Sequence, residues 1–269
     1  MNDTKLLLPW VLLDIAGVIY GISCEYVLSL PPISHITPLP KAPLEIRGII
    51  DFRGHMIKLV NLQKILNVLS LEEKVKSFYE LMDARKQDHI NWLETLKNCV
   101  ETNTEFTLTT DPHKCAFGKW YDSYNSDNSN IMFLSAFSKF DKPHKAIHQI
   151  GEKAEELIES NKYSEALALI NLTKDNELKQ MINLFDEIKN AYKESNREIV
   201  IVIGNGKNTI SIAVDNILAV EYLTETDEKL VKESMTTTKY LSGLAKRKDN
   251  SLVILLNDDY LLATASSRT

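Results

Sequence analysis

A chain of 269 residues with 44% hydrophobic and 25% charged residues has the make-up of an ordinary globular protein, long enough for one large core or two smaller ones. A formal net charge of -6 lacks the basic excess that binding to a phosphate backbone needs, so no nucleic-acid partner is expected. Three cysteines make no disulfide framework, and the most apolar early stretch, Leu6 to Ile15, is broken by Pro9 and Asp14; the expectation is a cytoplasmic protein without direct membrane insertion.

From Trp10 to Val68 the sequence reads as strands and turns, with apolar runs at Val11 to Leu13, Val18 to Ile22 and Tyr26 to Leu30 separated by glycine and proline. Pro38, Pro40 and Pro43 keep their stretch out of any central strand and predict a shaped loop or an edge. The glycines of Arg47-Gly48 and Arg53-Gly54 predict turns, with the arginines bracing them.

Between about Leu71 and Asn196 glycine nearly vanishes and apolar residues recur at every third and fourth position. The first helix carries Val75, Phe78, Met82, Arg85, His89, Trp92, Leu96 and Cys99 along one stripe, interrupted only by Arg85 and His89. A later helix starts near Asp141, with Pro143 tolerated in its first turn, and its stripe passes through His144, Ile147, His148, Gly151, Ala154 and Ile158. Ser164 to Lys193 continues the pattern with a break near Lys174, and the whole predicts a four-helix bundle.

After Arg197 strand patterns return at Ile199 to Ile203, Thr209 to Val214, Ile217 to Tyr222 and Ser251 to Leu256, with Asn205-Gly206 as a hairpin signal. The polar stretch Thr224 to Asn250 reads as a solvated loop. Each β piece alone is too small for a secure core, so the expected architecture is α+β: one β scaffold, residues 8–69 and 197–265, split by a helical insertion over residues 71–196.

The chemistry concentrates in the insertion. His144 and His148 lie four apart, which on a helix points both rings to one side, where they can hold one ion. His89 sits on an apolar stripe, and inward histidines need either separate hydrogen bonds or a shared metal; both readings stand on the residues alone. Cys115 opens Cys-Ala-Phe-Gly-Lys-Trp-Tyr, whose glycine permits a tight approach and whose aromatics exclude water; it reads as a ligand or as a small core residue. His113 lies two residues from Cys115 and so points elsewhere, while His35 and His55 have no ligand-type neighbours in sequence.

His89 with Trp92, then Cys115 to Tyr121, then His144-x-x-x-His148 resembles the chemoreceptor zinc-binding (CZB) domain in order and separation. The resemblance implies a four-helix bundle with zinc held tetrahedrally by His89, Cys115, His144 and His148, and sensing of zinc or of oxidants such as hypochlorous acid at Cys115. Asp111 matches an aspartate that accompanies the cysteine in that family; it reads either as a helix cap or as a carboxylate tuning the redox chemistry of the sulfur. A four-ligand site is closed, unlike that of a zinc hydrolase, and Lys145 stands where His-Glu-x-x-His proteases need glutamate. A zinc hydrolase, and a scaffold with purely structural zinc, are the alternatives.

The flanks resemble the CheW family: Leu39 to Pro43, Ile46 to Gly54, Thr209 to Glu221 with Ala213-Val214-Asp215, and Gly243 to Leu256 carry the likeness. Lys58 and Asn61 depart from it, standing where the family often has proline and aspartate. The likeness implies a pair of small β barrels, no enzymatic activity, and a role linking chemoreceptor cytoplasmic tips to a CheA-type histidine kinase.

Overall fold

The computed structural model describes residues 8–32, 35–124, 130–225 and 239–264. The chain divides into two compact units: residues up to Glu73 together with those from Arg197 onward, and Lys74–Asn196 between them.

The first unit is built on two sheets. Its strands are β1 (Trp10–Ile15), β2 (Val18–Ser23), β3 (Val27–Ser29), β4 (Ile46–Phe52), β5 (His55–Val60), β6 (Ile199–Gly204), β7 (Thr209–Val214), β8 (Asn216–Glu221), β9 (Thr224–Glu225), β10 (Leu241–Lys246) and β11 (Leu252–Leu256). One sheet has the order β8-β1-β2-β11-β10-β9, the other β3-β6-β7-β5-β4. Each mixes strands from before and after the insertion: β1 pairs with β8 and β2 runs parallel to β11 in the first, and β5 runs parallel to β7 in the second. Two chain pieces thus share one fold, because each lacks the partner strands that would pair its own edges.

The hairpins β1–β2 and β4–β5 use the same device. Asp14 and Asp51 each accept a hydrogen bond at 2.8 Å from the backbone N–H of Gly17 and Gly54. The two turn residues have positive φ in both, 57° and 82° at Ala16-Gly17, 56° and 82° at Arg53-Gly54, as a two-residue turn matching strand twist requires.

Several expectations need correction. Arg47-Gly48 is not a turn: both residues lie in β4, and Gly48 is needed because a Cβ there would stand 2.5 Å from the carbonyl oxygen of Thr37, which bridges to Ile49 across the sheet edge. Arg47 bonds Glu198 at 2.6 Å and Glu72 at 3.3 Å. The proposed loop 224–250 contains β9 and β10, while 226–238 lies outside the described residues. Asn205-Gly206 does turn the chain, but in a longer loop where the Asn205 side chain accepts from the backbone of Lys207 and Asn208.

Neither sheet is a closed barrel: among the described residues no ladder joins β8 to β9 or β3 to β4. Only Tyr222 and Leu223 separate β8 from β9 in sequence, so the first sheet curls until its edges approach, and Arg247 clasps Glu221 bidentately at 3.1 and 2.6 Å. β9, at two residues, is too short to complete the ladder.

Two short helices escaped the sequence reading. α1 (Leu62–Leu66) and α8 (Asp258–Ala263) each begin at an asparagine, Asn61 and Asn257, whose side chain caps the first turn.

The second unit is helical: α2 (Leu71–Thr102, starting in the first unit), α3 (Ala116–Ser123), α4 (Ile131–Ser138), α5 (Asp141–Glu159), α6 (Tyr163–Thr173) and α7 (Lys179–Ser195). The expected four helices are therefore six among the described residues, and the break near Lys174 is a π turn, Lys174–Leu178, between α6 and α7. Ser70 and Glu73 fix the start of α2 by a reciprocal capping box, the Ser70 N–H donating to Glu73 at 2.9 Å and the Glu73 N–H to Ser70 at 3.1 Å. Phe78, Met82, Leu96, Phe117, Phe133, Phe140, Phe185 and Ile188 share the core of this unit. Among the described residues no helix is long and apolar enough to cross a membrane.

Candidate metal centre

The apolar stripe of α2 carries His89 into the core, and the stripe of α5 carries His144 and His148 on successive turns. All three rings are buried, with His148 only 1% exposed. Cys115 enters from a third element as the N-cap of α3, where its sulfur accepts from the backbone N–H of Gly118 at 3.1 Å. The structure brings the four together: one ligand-type atom from each of His89, Cys115, His144 and His148 lies within 4.8 Å of the others.

Hydrogen bonds orient the rings. His89 sets Nδ1 2.7 Å from the carbonyl oxygen of Arg85, and His148 sets Nδ1 3.2 Å from that of Thr109. With both Nδ1 atoms donating outward, each Nε2 is left with a lone pair facing the interior, and neither has a hydrogen-bond partner. His144 places Nε2 3.2 Å from the Cys115 sulfur. Buried nitrogens without partners are costly, and two in one cluster with a sulfur and a third imidazole fit a soft, four-coordinate divalent cation better than they fit separate core histidines.

The electrostatics agree with neutral donors. Burial, reinforced by the neighbouring rings, lowers the pKa of His144 to about 3, and burial with His89 nearby lowers that of His148 to about 4. Burial likewise lowers the pKa of His89 and raises that of the Cys115 thiol. Protein atoms alone therefore leave the imidazoles ready to bind, but a cation is needed to hold the sulfur as thiolate.

Aromatic rings wall the cluster. Phe117 meets His144 and His89 edge-on at centroid distances of 4.9 and 5.7 Å, and Trp92 lies 5.0 Å from His148. A small cavity of about 60 Å³ lies beside the cluster, lined by Asp88, His89, Trp92, Cys115, Ala116, Phe117 and His148.

The other candidates lie outside the four-donor cluster. His113 is exposed and pairs with Asp122 at 2.8 Å. Asp111 accepts from the His113 backbone N–H at 3.0 Å and pairs with Lys114 at 3.1 Å, which holds its carboxyl below the usual range; its bonds serve the turn before α3. His35 and His55 lie in the first unit, both exposed. The backbone acceptors Arg85 and Thr109 were invisible in the sequence, since any residue offers a carbonyl.

A two-sheet β scaffold interrupted by a helical unit with a three-histidine, one-cysteine cluster defines the class, and comparison with known proteins gives it names. Residues 9–87 match the family model of the CheW-like domain, and residues 89–155, which include all four cluster residues, match that of the chemoreceptor zinc-binding domain. The chain thus carries a CheW-like domain followed by a CZB domain. A chemotaxis protein CheW from Thermotoga maritima is 44% identical over 55 residues, 20% of this chain. The match spans about a third, 34%, of that relative. The crystal structure of the scaffolding protein TtCheW from Thermoanaerobacter tengcongensis aligns over 97% of this chain and 91% of its own, at 12% identity and a TM-score of 0.40. The family matches end at residue 155; what joins residues from 199 onward to the first unit is their pairing with β1, β2, β3 and β5.

Proposed function

We propose that this protein is a cytoplasmic chemotaxis scaffold that couples chemoreceptor tips to a CheA-type histidine kinase and is modulated by zinc held at His89, Cys115, His144 and His148 in a bundle-like helical domain. The observation that carries the metal part is the converging four-donor cluster with the buried, unpartnered Nε2 atoms of His89 and His148. The scaffold part rests on the CheW-like match and on a β unit rebuilt from both sides of the insertion. Neither part needs catalysis: four protein donors complete a tetrahedral shell and leave no position for a reacting water.

When bound, zinc supplies positive charge that lowers the thiol pKa and keeps Cys115 as thiolate. The chain's residues do the rest: Arg85 and Thr109 carbonyls aim the rings, the Gly118 N–H steadies the sulfur, and Phe117 and Trp92 pack against the histidine rings. The small cavity that Cys115 helps to line supports an oxidant-sensing role, in which a small two-electron oxidant such as hypochlorous acid oxidises the sulfur and weakens it as a donor.

Metal analysis of purified variants tests the site. One zinc per chain is expected in the parent and in His113→Ala, with strong loss in Cys115→Ala and His148→Ala; the reverse pattern refutes the ligand set. The scaffold reading is tested by reconstitution with receptor and kinase, comparing kinase activity with zinc present, chelated and after mild oxidation. Equal activity in all three states refutes modulation.

A further inference from the structure

One carbonyl oxygen, that of Thr109, receives two donors. His148 Nδ1 lies 3.2 Å from it, and the indole Nε1–H of Trp92 donates to it at 2.9 Å. Trp92 stands one turn beyond His89 on α2, so one helix supplies both a cluster ring and the bond that fixes another ring's support. The segment following Thr109 runs directly into Cys115: the Asp111 N–H donates to Thr109 Oγ1 at 3.2 Å, and the Cys115 sulfur lies 3.3 Å from the Pro112 carbonyl oxygen. Thr110 packs so closely on α5 that a Cβ at Gly151 would stand 2.4 Å from its methyl group. The same short segment therefore supports His148 through a hydrogen bond and Cys115 through the chain.

We propose that Trp92 is a positioning residue of the metal centre, acting through its indole N–H to hold the Thr109 carbonyl, and with it His148 and the approach to Cys115, in ligating geometry. The proposal rests on the reading that His148 and Cys115 are ligands. Trp92 offers the cluster no ligand atom; its ring fills the wall beside His148 and meets Phe106 edge-on at 5.1 Å, so a purely packing role is the rival account. The two accounts separate at the nitrogen. Trp92→Phe keeps an aromatic ring and removes the donor, while Phe106→Leu disturbs the packing and leaves the donor in place.

The experiment titrates the full chain with Co²⁺ against a chelator, reading the thiolate charge-transfer and d–d bands. Trp92→Phe should raise the Co²⁺ dissociation constant by about tenfold, the lower end of outer-shell effects, with tetrahedral bands retained; Phe106→Leu should lower the melting temperature and leave the constant within about twofold. A Trp92→Phe constant equal to the parent's, or a Phe106→Leu loss as large as that of Trp92→Phe, overturns the proposal. Should Trp92→Phe not fold, the parent itself gives the answer, because coupling is reciprocal: metal loading should slow hydrogen exchange at the Trp92 indole N–H by about the factor by which that bond aids binding. Exchange that is the same with and without Co²⁺ overturns it as well. A parent whose Co²⁺ spectrum lacks the thiolate band, or is unchanged in His148→Ala, overturns the ligand reading instead and takes this proposal with it.

Discussion

Gly118→Ala puts the smallest side chain at the tightest spot beside the cluster. An added Cβ would stand 1.8 Å from the carbonyl oxygen of Pro112, 2.9 Å from its carbon and 3.1 Å from Cα of His113. All three are backbone atoms, so no rotamer relieves the clash, and residues 112–113 and the first turn of α3 must separate by roughly 1.5 Å to reach ordinary contact. Cys115 lies between those two segments, and its sulfur is held by both, through Gly118 N–H and the Pro112 carbonyl. Metal–ligand distances tolerate shifts of only about 0.2 Å, so the displacement should cost about 100-fold in zinc or cobalt affinity. On helix propensity alone alanine would stabilise α3 by about 1 kcal/mol, and overpacking would remove about 1–3 kcal/mol, so metal-free stability should fall modestly while affinity collapses. Cobalt titration against a chelator, alongside urea unfolding of the metal-free protein and with exposed Lys119→Ala as control, reads both quantities. A Gly118→Ala protein that binds cobalt within about threefold of the parent with its thiolate band intact would falsify the idea that this close approach sets the position of the sulfur.

In the metal-free protein the lowered pKa values of His144 and His148, about 3 and about 4, mean that the unfolded chain binds more protons than the folded one below pH 6.5. Stability should therefore fall as pH drops from 6.5 toward 4, by on the order of 2 kcal/mol per ring at pH 5, and unfolding midpoints that hold steady over that range would contradict the buried placement. Asp258 has the opposite sign: burial raises its carboxyl to about 7, so the folded state holds the extra proton and the first unit should lose stability as pH rises from about 4 to 7. Asp258→Asn should flatten that slope, and an unchanged slope shows that another group carries it. Replacing residues 74–196 with a six-residue Gly/Ser linker should leave a folded β protein without metal, since Arg47 reaches Glu72 and Glu198 at once and such a linker spans about 13 Å; loss of cooperative unfolding across several linker lengths refutes an independent scaffold.

The legible parts of this chain are those where periodicity is itself the cause of structure. His89 and His144 with His148 could be placed on inner helix faces because an apolar stripe at helical spacing leaves a side chain no other direction to point. The return of strands after Arg197 was legible because short apolar runs of strand length, bounded by turn residues, recur there. Strand partners were not: that β5 would run parallel to β7 across the insertion depends on contacts no local pattern encodes. Arg47-Gly48 misled for a related reason, since a glycine needed to let Thr37 approach within a sheet looks in sequence like one needed for a turn. The strand β10 was missed because its run, Leu241 to Lys246, is short and interrupted by Ser242 and Gly243.

The distribution of the donors over the fold bears on which of them can act as a switch. His89 sits on a helix of 32 residues and His144 and His148 on one of 19, both secured by long apolar faces, whereas Cys115 caps a helix of 8. A helix that short is not stable by itself and depends on its cap and on the packing of Phe117, Trp120 and Tyr121. The Cys115 sulfur has two duties at that point, as N-cap to the Gly118 N–H and as a member of the cluster, and a helix N-terminus favours the thiolate for both. Chemical change at the sulfur therefore acts on the element least able to hold its place without it, while the long helices carrying the histidines keep their cores. Loss of the sulfur as a cap would act first on this short helix, whereas the histidines sit on long helices with apolar faces of their own.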